Sequence, residues 1–361
     1  MSLNKDIVVA ELSKIIDKDL EKSLGELNSI EKVVIGNNTV QVYVNLIQPI
    51  QWIYPYIKSE IKLVLDRIAP DYKQEIFIGE AEFDVSKRNI LKNIKNIIAI
   101  ASGKGGVGKS AISSNIASAL SLSGAKVGIL DGDVYGPSQP TMFGVANEQY
   151  GMVEKNGVVM AVPVENYGIK IASMGLVMNR DEAAIVRGPM LAGYFAMLFE
   201  QIEWGDLDFL IFDLPPGTGD IQLTLTQKIP LTGAVVVTTP QEIALADVRR
   251  SIAMFNRVNV DLLGIVENMS YFVPEDMPDK KYYIFGKGGG AEIADNFGVN
   301  LLGEVPLNIS MRENNDGGKP IVLAGNSNQA NILKEITAKM VSEVRKKNYR
   351  TSITQELEIS I

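Results

Sequence analysis

Apolar positions change their spacing three times within the first eighty residues. Residues 5 to 24 carry aliphatic side chains at helical intervals, which predicts a short amphipathic helix. In "KVVIGNNTVQVYVNL" the interval falls to two. Val40, Val42, Val44 and Leu46 then share one face, and Gly36, Asn37 and Asn38 suit a hairpin turn. Ile53, Ile57, Ile61, Val64, Leu65 and Ile68 return to helical spacing, and "QEIFIGE" reads as a closing strand. This is the pattern of a small α/β domain over residues 1–80. The charged stretch "FDVSKRNILKNIKN" predicts a joint, taken as residues 81–95.

From Asn96 onward, short apolar runs alternate with helical stretches. The runs are "NIIAIAS", "KVGILDGD", "GIKIAS", "LDFLIFDLPPG", "GAVVVTTP" and "LLGIVENMS". Strands this apolar are buried on both faces, and their alternation with helices predicts a mostly parallel sheet flanked by helices. "GMVEKNGVVMAVPV" reads as an inserted hairpin centred on Asn156 and Gly157. The second domain is expected over residues 96–347, with a C-terminal tail at 348–361.

Composition narrows the chemistry. The 361 residues are 46% apolar and 22% charged, an ordinary globular balance, and the net charge of −8 argues against a broad grip on nucleic acid. The sequence contains neither cysteine nor histidine. Disulfides are excluded, as are thiolate or imidazole sites for zinc or iron–sulfur clusters; hard oxygen ligands, which suit magnesium, remain. No apolar run approaches the roughly 20 residues of a membrane span. The start, "MSLNKDIVVAELSK", has no signal-peptide pattern, so a cytoplasmic protein is expected.

The densest chemistry lies in "SGKGGVGKS", Ser102 to Ser110. Gly103, Gly108, Lys109 and Ser110 satisfy G-x-x-x-x-G-K-S/T between a predicted strand and a predicted helix, the setting a phosphate loop requires. Glycines let the backbone curl its N–H groups around phosphate oxygens, and a helix beginning near Lys109 adds its positive end. Lys109 can reach β- and γ-phosphates, and the Ser110 hydroxyl can hold magnesium. A second glycine cluster, "FGKGGGAEIA", lacks the terminal G-K-S/T and reads as a loop capping a helix, or else as a switch or interface loop.

Three strand-end carboxylates are candidates for the metal side. Asp213 closes "FLIFD" just before the stiff "LPPGTGD", apt to sense a γ-phosphate; a turn former or helix cap is the alternative. Asp131 and Asp133 in "LDGDVYGPS" can divide the work, one supporting magnesium and the other positioning a water. Solvated turn residues are the other reading.

"KGGVGKS", with its early lysine, resembles the deviant phosphate loop of the ParA/MinD-type ATPases. "LDGDVYGPS", "VRGPM", "WGDLDFLIFDLPPGTGD", "TTPQEIALADVRR", "ENMSYF", "FGKGGGAEIA" and "MRENNDGGKPIV" narrow the likeness to the Mrp/ApbC branch. The N-terminal domain resembles the PaaD-like unit often fused ahead of it. The resemblance implies a P-loop fold binding ATP and Mg2+, slow hydrolysis and a homodimer. It implies nucleotide contacts from Gly103, Lys104, Gly105, Gly106, Val107, Gly108, Lys109, Ser110 and Ala111. Lys104 would cross the dimer interface to the partner's nucleotide. Ser110 would ligate the metal, with Asp131 and Asp213 acting through its waters, and Asp133 would orient the hydrolytic water. Asn268 would line the base pocket with Pro306, supported by Arg312 and Asp316; a strand-end cap is the other reading of Asn268.

The same resemblance implies iron–sulfur cargo held by a Cys-x-x-Cys pair after "ENMSYF". Here Val273 and Asp276 stand about where those thiolates are expected. Val273 cannot ligate iron, and Asp276 offers a hard oxygen ill matched to a sulfide-bridged cluster. Three roles follow: iron–sulfur protein maturation with apo-protein clients or assembly factors, an ATP-driven positioning switch like ParA and MinD, or a nucleotide-switched adaptor for protein clients. The positioning role needs a DNA or membrane grip. The tail, "AKMVSEVRKKNYRTSITQELEISI", has a basic patch but acidic final residues and little anchor character.

Overall fold

The computed structural model describes residues 3–81, 93–134, 136–155, 157–177 and 198–359. The chain divides into two compact units, Met1–Asp84 with Val341–Ile361, and Val85–Met340. The "VRGPM" segment, Asn156 and most of the expected joint lie outside the described residues.

The first unit opens with helix α1 (Lys5–Leu12), capped by Asn4, whose side chain accepts from the Asp6 N–H at 3.0 Å. The helix expected to reach residue 24 stops at Leu12. The buried Asp17 carboxylate accepts the N–H groups of Asp19 and Leu20 at 3.1 and 3.3 Å, a local bond that competes with helix. The chain turns there between the short strands β1 (Ile16–Asp17) and β2 (Lys22–Ser23). Strand β3 (Ile30–Ile35) pairs antiparallel with β4 (Thr39–Leu46). Helix α2 (Tyr54–Ile68) crosses to β5 (Lys73–Glu80), which pairs parallel with β4. Val40, Val42, Val44 and Leu46 are buried in one core with Ile57, Ile61 and Leu65 of α2, as the two periodicities require.

Residues from Val341 onward, read above as the end of the second domain and its tail, cluster with this first unit. Arg345 is fully buried there. Its guanidinium grips Asp17 with two N–H···O bonds of 2.8 and 2.6 Å, Asp19 at 2.6 Å and the Ile47 carbonyl at 3.1 Å. A fork of donors fully matched in this way keeps a buried charge tolerable, whereas removing one partner typically costs about 3–5 kcal/mol.

The second unit runs β6 (Ile94–Ala101), α3 (Lys109–Leu122), β7 (Val127–Asp131) and α4 (Gln139–Met142). The hairpin β8 (Gly151–Lys155) and β9 (Val158–Val162) follows, then β10 (Val164–Asn166) and β11 (Ile169–Ser173). Next come β12 (Leu207–Asp213), α5 (Asp220–Lys228), β13 (Gly233–Thr238), α6 (Glu242–Arg257) and β14 (Leu262–Phe272). Last are α7 (Gly289–Phe297), β15 (Leu301–Leu307), α8 (Ile309–Asp316), α9 (Ile321–Ala324) and the first part of α10 (Asn328–Ile359), whose residues from Val341 belong to the first unit.

Among the described residues eight strands form one sheet in the order β10-β11-β7-β12-β6-β13-β14-β15, all parallel except β10 against β11. Every residue of β7, β12 and β13 is buried, which is why these strands read as unbroken apolar runs. The edge strands β10 and β15 were not legible as such: β15 breaks its apolar residues with Gly303, Glu304 and Pro306, and proline is tolerated at a sheet edge. The register sets Asp213 of β12 opposite both Asp131 of β7 and Ile100 of β6. Both carboxylates therefore stand level at the carboxyl ends of adjacent strands, beside the turn that leaves β6. Open α/β sheets bind ligands at such an edge.

Candidate functional site

The loop after β6 is shaped by close approaches that only glycine permits. Gly108 has φ +83°, and a Cβ there would lie 2.2 Å from Asn268 Nδ2; one on Gly103 would lie 2.3 Å from Asp247 Cβ of α6. Side chains then fix the loop's carbonyls. Ser102 Oγ donates to the Lys104 carbonyl at 3.0 Å, and Asn268 Nδ2 donates to the Val107 carbonyl at 2.9 Å. The Gly217 N–H of the "PPGTG" loop donates to the Ser102 carbonyl at 2.9 Å, joining the two loops. Val107 is buried, while Gly105 and Gly106 are exposed. Lys109 begins α3, with Ser110 and Ala111 in its first turn.

Lys109 is buried, and its ammonium is paired with the fully buried Asp213 through Oδ1; it also lies 3.2 Å from Ser110 Oγ. The same Asp213 oxygen accepts from Ser113 Oγ at 2.8 Å, and Oδ2 accepts from Gln139 Nε2 at 2.8 Å. The Gln139 amide also donates to the Ser110 carbonyl at 3.1 Å. One side chain thus ties α4, β12 and the first turn of α3 together. Its oxygen Oε1 is buried with no hydrogen-bond partner, as is Ser138 Oγ one residue back. An unsatisfied buried acceptor typically costs about 1–3 kcal/mol.

Asp131 organises the loop that follows β7. Its carboxylate accepts from the N–H groups of Asp133, Ser138 and Gln139 at 3.1, 2.9 and 3.0 Å, and from Ser173 Oγ at 3.1 Å. Burial, and then the negative charge of Asp213, push its pKa up to about 7. A cation or ammonium between the two carboxylates relieves that repulsion, and Lys109 supplies one here. Asp133 is half-buried, and its Oδ1 accepts the Gly136 N–H at 3.1 Å. Hard oxygens from Ser110, Asp131 and Asp213 form a donor set that fits magnesium completed by phosphate and water. Among the described residues no cluster of three acidic side chains could hold a metal by itself.

Lys104 does not join this cluster; its Nζ lies 3.3 Å from Gln241 Oε1, just ahead of α6. Asn268 backs the phosphate loop through its amide nitrogen, and the register pairs it with Val305, next to Pro306. Arg312 is exposed on α8, where it pairs with Glu313 at 3.1 Å and reaches Asp316 at 3.9 Å. Val273 is half-buried and Asp276 exposed, beyond the end of β14. Sequence reasoning missed Ser113, Gln139, Ser173 and Gln241. Ser113 had a readable signal, four residues after Lys109 on the same helix face, and Ser173 ends a strand whose register meets Asp131.

A parallel sheet, a strand–loop–helix turn closed by Lys109 and two level carboxylates define a phosphate-loop nucleotide-binding protein. Residues 93–341 match the family described as ParA: NUBPL iron-transfer P-loop NTPase, and the chain belongs to that family. It is 45% identical over 326 residues to an iron–sulfur cluster carrier protein of Synechocystis sp., covering 89% of this chain and 92% of that protein. An iron–sulfur cluster carrier protein of Escherichia coli is 42% identical over 324 residues, covering 88% of this chain and 86% of that one. A nucleotide-binding protein from Archaeoglobus fulgidus, solved in complex with ADP, superposes with a TM-score of 0.57 at 36% identity, covering 65% of this chain and 90% of its own. No helix among the described residues is long and apolar enough to cross a membrane.

Proposed function

We propose that this chain is a cytoplasmic, dimeric ATPase of iron–sulfur protein maturation that relies on a partner's thiolates to hold the cluster. The observation carrying the nucleotide part is Lys109 at the first turn of α3, ion-paired to Asp213, with Ser110 and Asp131 beside it. ATP draws the Lys109 ammonium from Asp213 to its β- and γ-phosphates, and the loop N–H groups and the start of α3 meet the remaining phosphate charge. Ser110 would hold Mg2+, with Asp131 and Asp213 supporting it from the adjacent strand ends, and a bound ion would supply positive charge to the phosphates. Asp133 orients the attacking water. Lys104 leaves Gln241 and reaches the partner subunit's nucleotide, where a second cation stabilises charge on the leaving oxygens. Asn268 steadies the loop and lines the base side with Pro306.

The maturation role draws on the family and on the names of the relatives; the partner's thiolates follow from the absence of cysteine. Purified protein with ATP and Mg2+ should release phosphate, with activity per molecule rising with protein concentration as dimers form. No release at millimolar ATP contradicts the ATPase reading. Anaerobic reconstitution with iron and sulfide should leave no stoichiometric cluster on the isolated chain, and a transferable one there contradicts the reliance on a partner.

A further inference from the structure

Gln139 is a buried polar side chain beside the phosphate loop that is only half used. Its Nε2 spends both hydrogens, on Asp213 Oδ2 at 2.8 Å and on the Ser110 carbonyl at 3.1 Å. Those two acceptors fix which end of the amide is nitrogen, because an oxygen there would face two other oxygens. The other end, Oε1, is fully buried and unpartnered, on a residue with no solvent exposure. The residue's own N–H donates to Asp131 Oδ2 at 3.0 Å. Gln139 therefore touches all three elements assigned to the metal side: the first turn of α3, the end of β12 and the end of β7.

We infer that Gln139 is a positioning residue for the metal, its Oε1 accepting a hydrogen bond from a water bound to the ion while its Nε2 holds Asp213 in place. The inference rests on the nucleotide–metal reading above. An acceptor held at this place gives the metal's water shell a fixed orientation, and partners of this kind typically change metal affinity about 10–100-fold when removed. Methionine in this position keeps the length and bulk of glutamine and removes both the donor and the acceptor. Glutamate keeps an oxygen acceptor and removes the donor to Asp213.

The test is the binding of Mn2+, as a spin-active stand-in for magnesium, to protein saturated with a non-hydrolysable ATP analogue, read by electron paramagnetic resonance. ATP binding in EDTA and thermal melting are measured alongside. Gln139→Met should weaken Mn2+ binding about 10–100-fold while leaving ATP binding in EDTA near the parent's, and its melt should fall because the Asp213 and Ser110 oxygens lose their donor. Gln139→Glu should hold Mn2+ within about threefold of the parent or more tightly, because the acceptor survives. Parent-like Mn2+ affinity in folded Gln139→Met overturns the inference, as does an equal loss in both variants, which would reduce Gln139 to a tie between loops. If Gln139→Met does not fold, Gln139→Glu decides alone, and a loss of about tenfold or more in it overturns the inference. A parent that binds no ATP in EDTA or Mg2+ overturns the nucleotide reading instead.

Discussion

Around Lys109 the polar atoms are matched almost one to one. Asp213 takes Lys109, Ser113 and Gln139, and Asp131 takes three backbone N–H groups and Ser173. The segment from Tyr271 to Lys287, where the family resemblance places the cargo thiolates, is organised differently. Asp276, Met277, Tyr282, Tyr283 and Ile284 are exposed, and Lys281 and Lys287 lie over the rings of Tyr271 and Tyr283 at 4.1 and 4.9 Å. The first region is preorganised by buried hydrogen bonds, so single changes there should move function by orders of magnitude. The second is a solvated surface without a thiolate, so changes near it should register as small shifts in stability.

The largest effect should come from Lys109→Ala, with ATP affinity falling about a thousandfold or more by calorimetry, the scale of losing a desolvated charge contact. It also strands the buried Asp213 charge, and apo stability should drop by about 3–5 kcal/mol in denaturant melts. Adding Asp213→Asn should recover much of that stability and none of the affinity. Recovery of affinity would move the phosphate contact away from Lys109.

Lys104→Ala should leave ATP binding within about threefold of the parent, because Lys104 lies on Gln241 rather than among the buried charges; its turnover should fall about a thousandfold, as when an arginine finger is withdrawn. Parent-like phosphate release would remove it from the reaction. Asp133→Ala should bind ATP normally and hydrolyse it about a hundredfold more slowly in single-turnover assays, the typical loss when a water-positioning base is removed. It should also trap the ATP-bound dimer on a sizing column.

The smallest effect belongs to Glu267, on β14 beside the second glycine cluster. Its Oε2 accepts the Gly290 N–H at 2.5 Å, and burial raises its pKa above the usual carboxylate range despite that bond. A raised carboxyl stabilises the fold fully at low pH and loses that contribution as pH climbs through the raised value. Glu267→Gln should therefore melt close to the parent near pH 4 and gain ~1–3 °C on it by pH 8. A difference that shrinks with rising pH would reverse this account.

Much of the sheet was legible because strands buried on both faces must be written as unbroken apolar runs, as in "FLIFD" and "AVVVT". Edge strand β15 was not, since one exposed side admits Glu304 and Pro306. Helix α1 was over-read because the pattern cannot show that Asp17 is claimed by Arg345 over three hundred residues away. The phosphate loop was legible as spacing, since its glycines answer local steric demands. Gln139 was not, because its partners Ser110 and Asp213 meet it only in space, and the bond from the Asn268 amide to the Val107 carbonyl was hidden for the same reason.

In the proposed function Lys109, Ser110 and the two level carboxylates clasp a nucleoside triphosphate with a divalent ion. Calorimetric titration of the full chain with ATP tests it directly, in Mg2+ and again in EDTA. One site per chain is expected, tighter with Mg2+ than without, and lost in Lys109→Ala. Absence of heat at millimolar ATP in both buffers, or unchanged binding by Lys109→Ala, would contradict it.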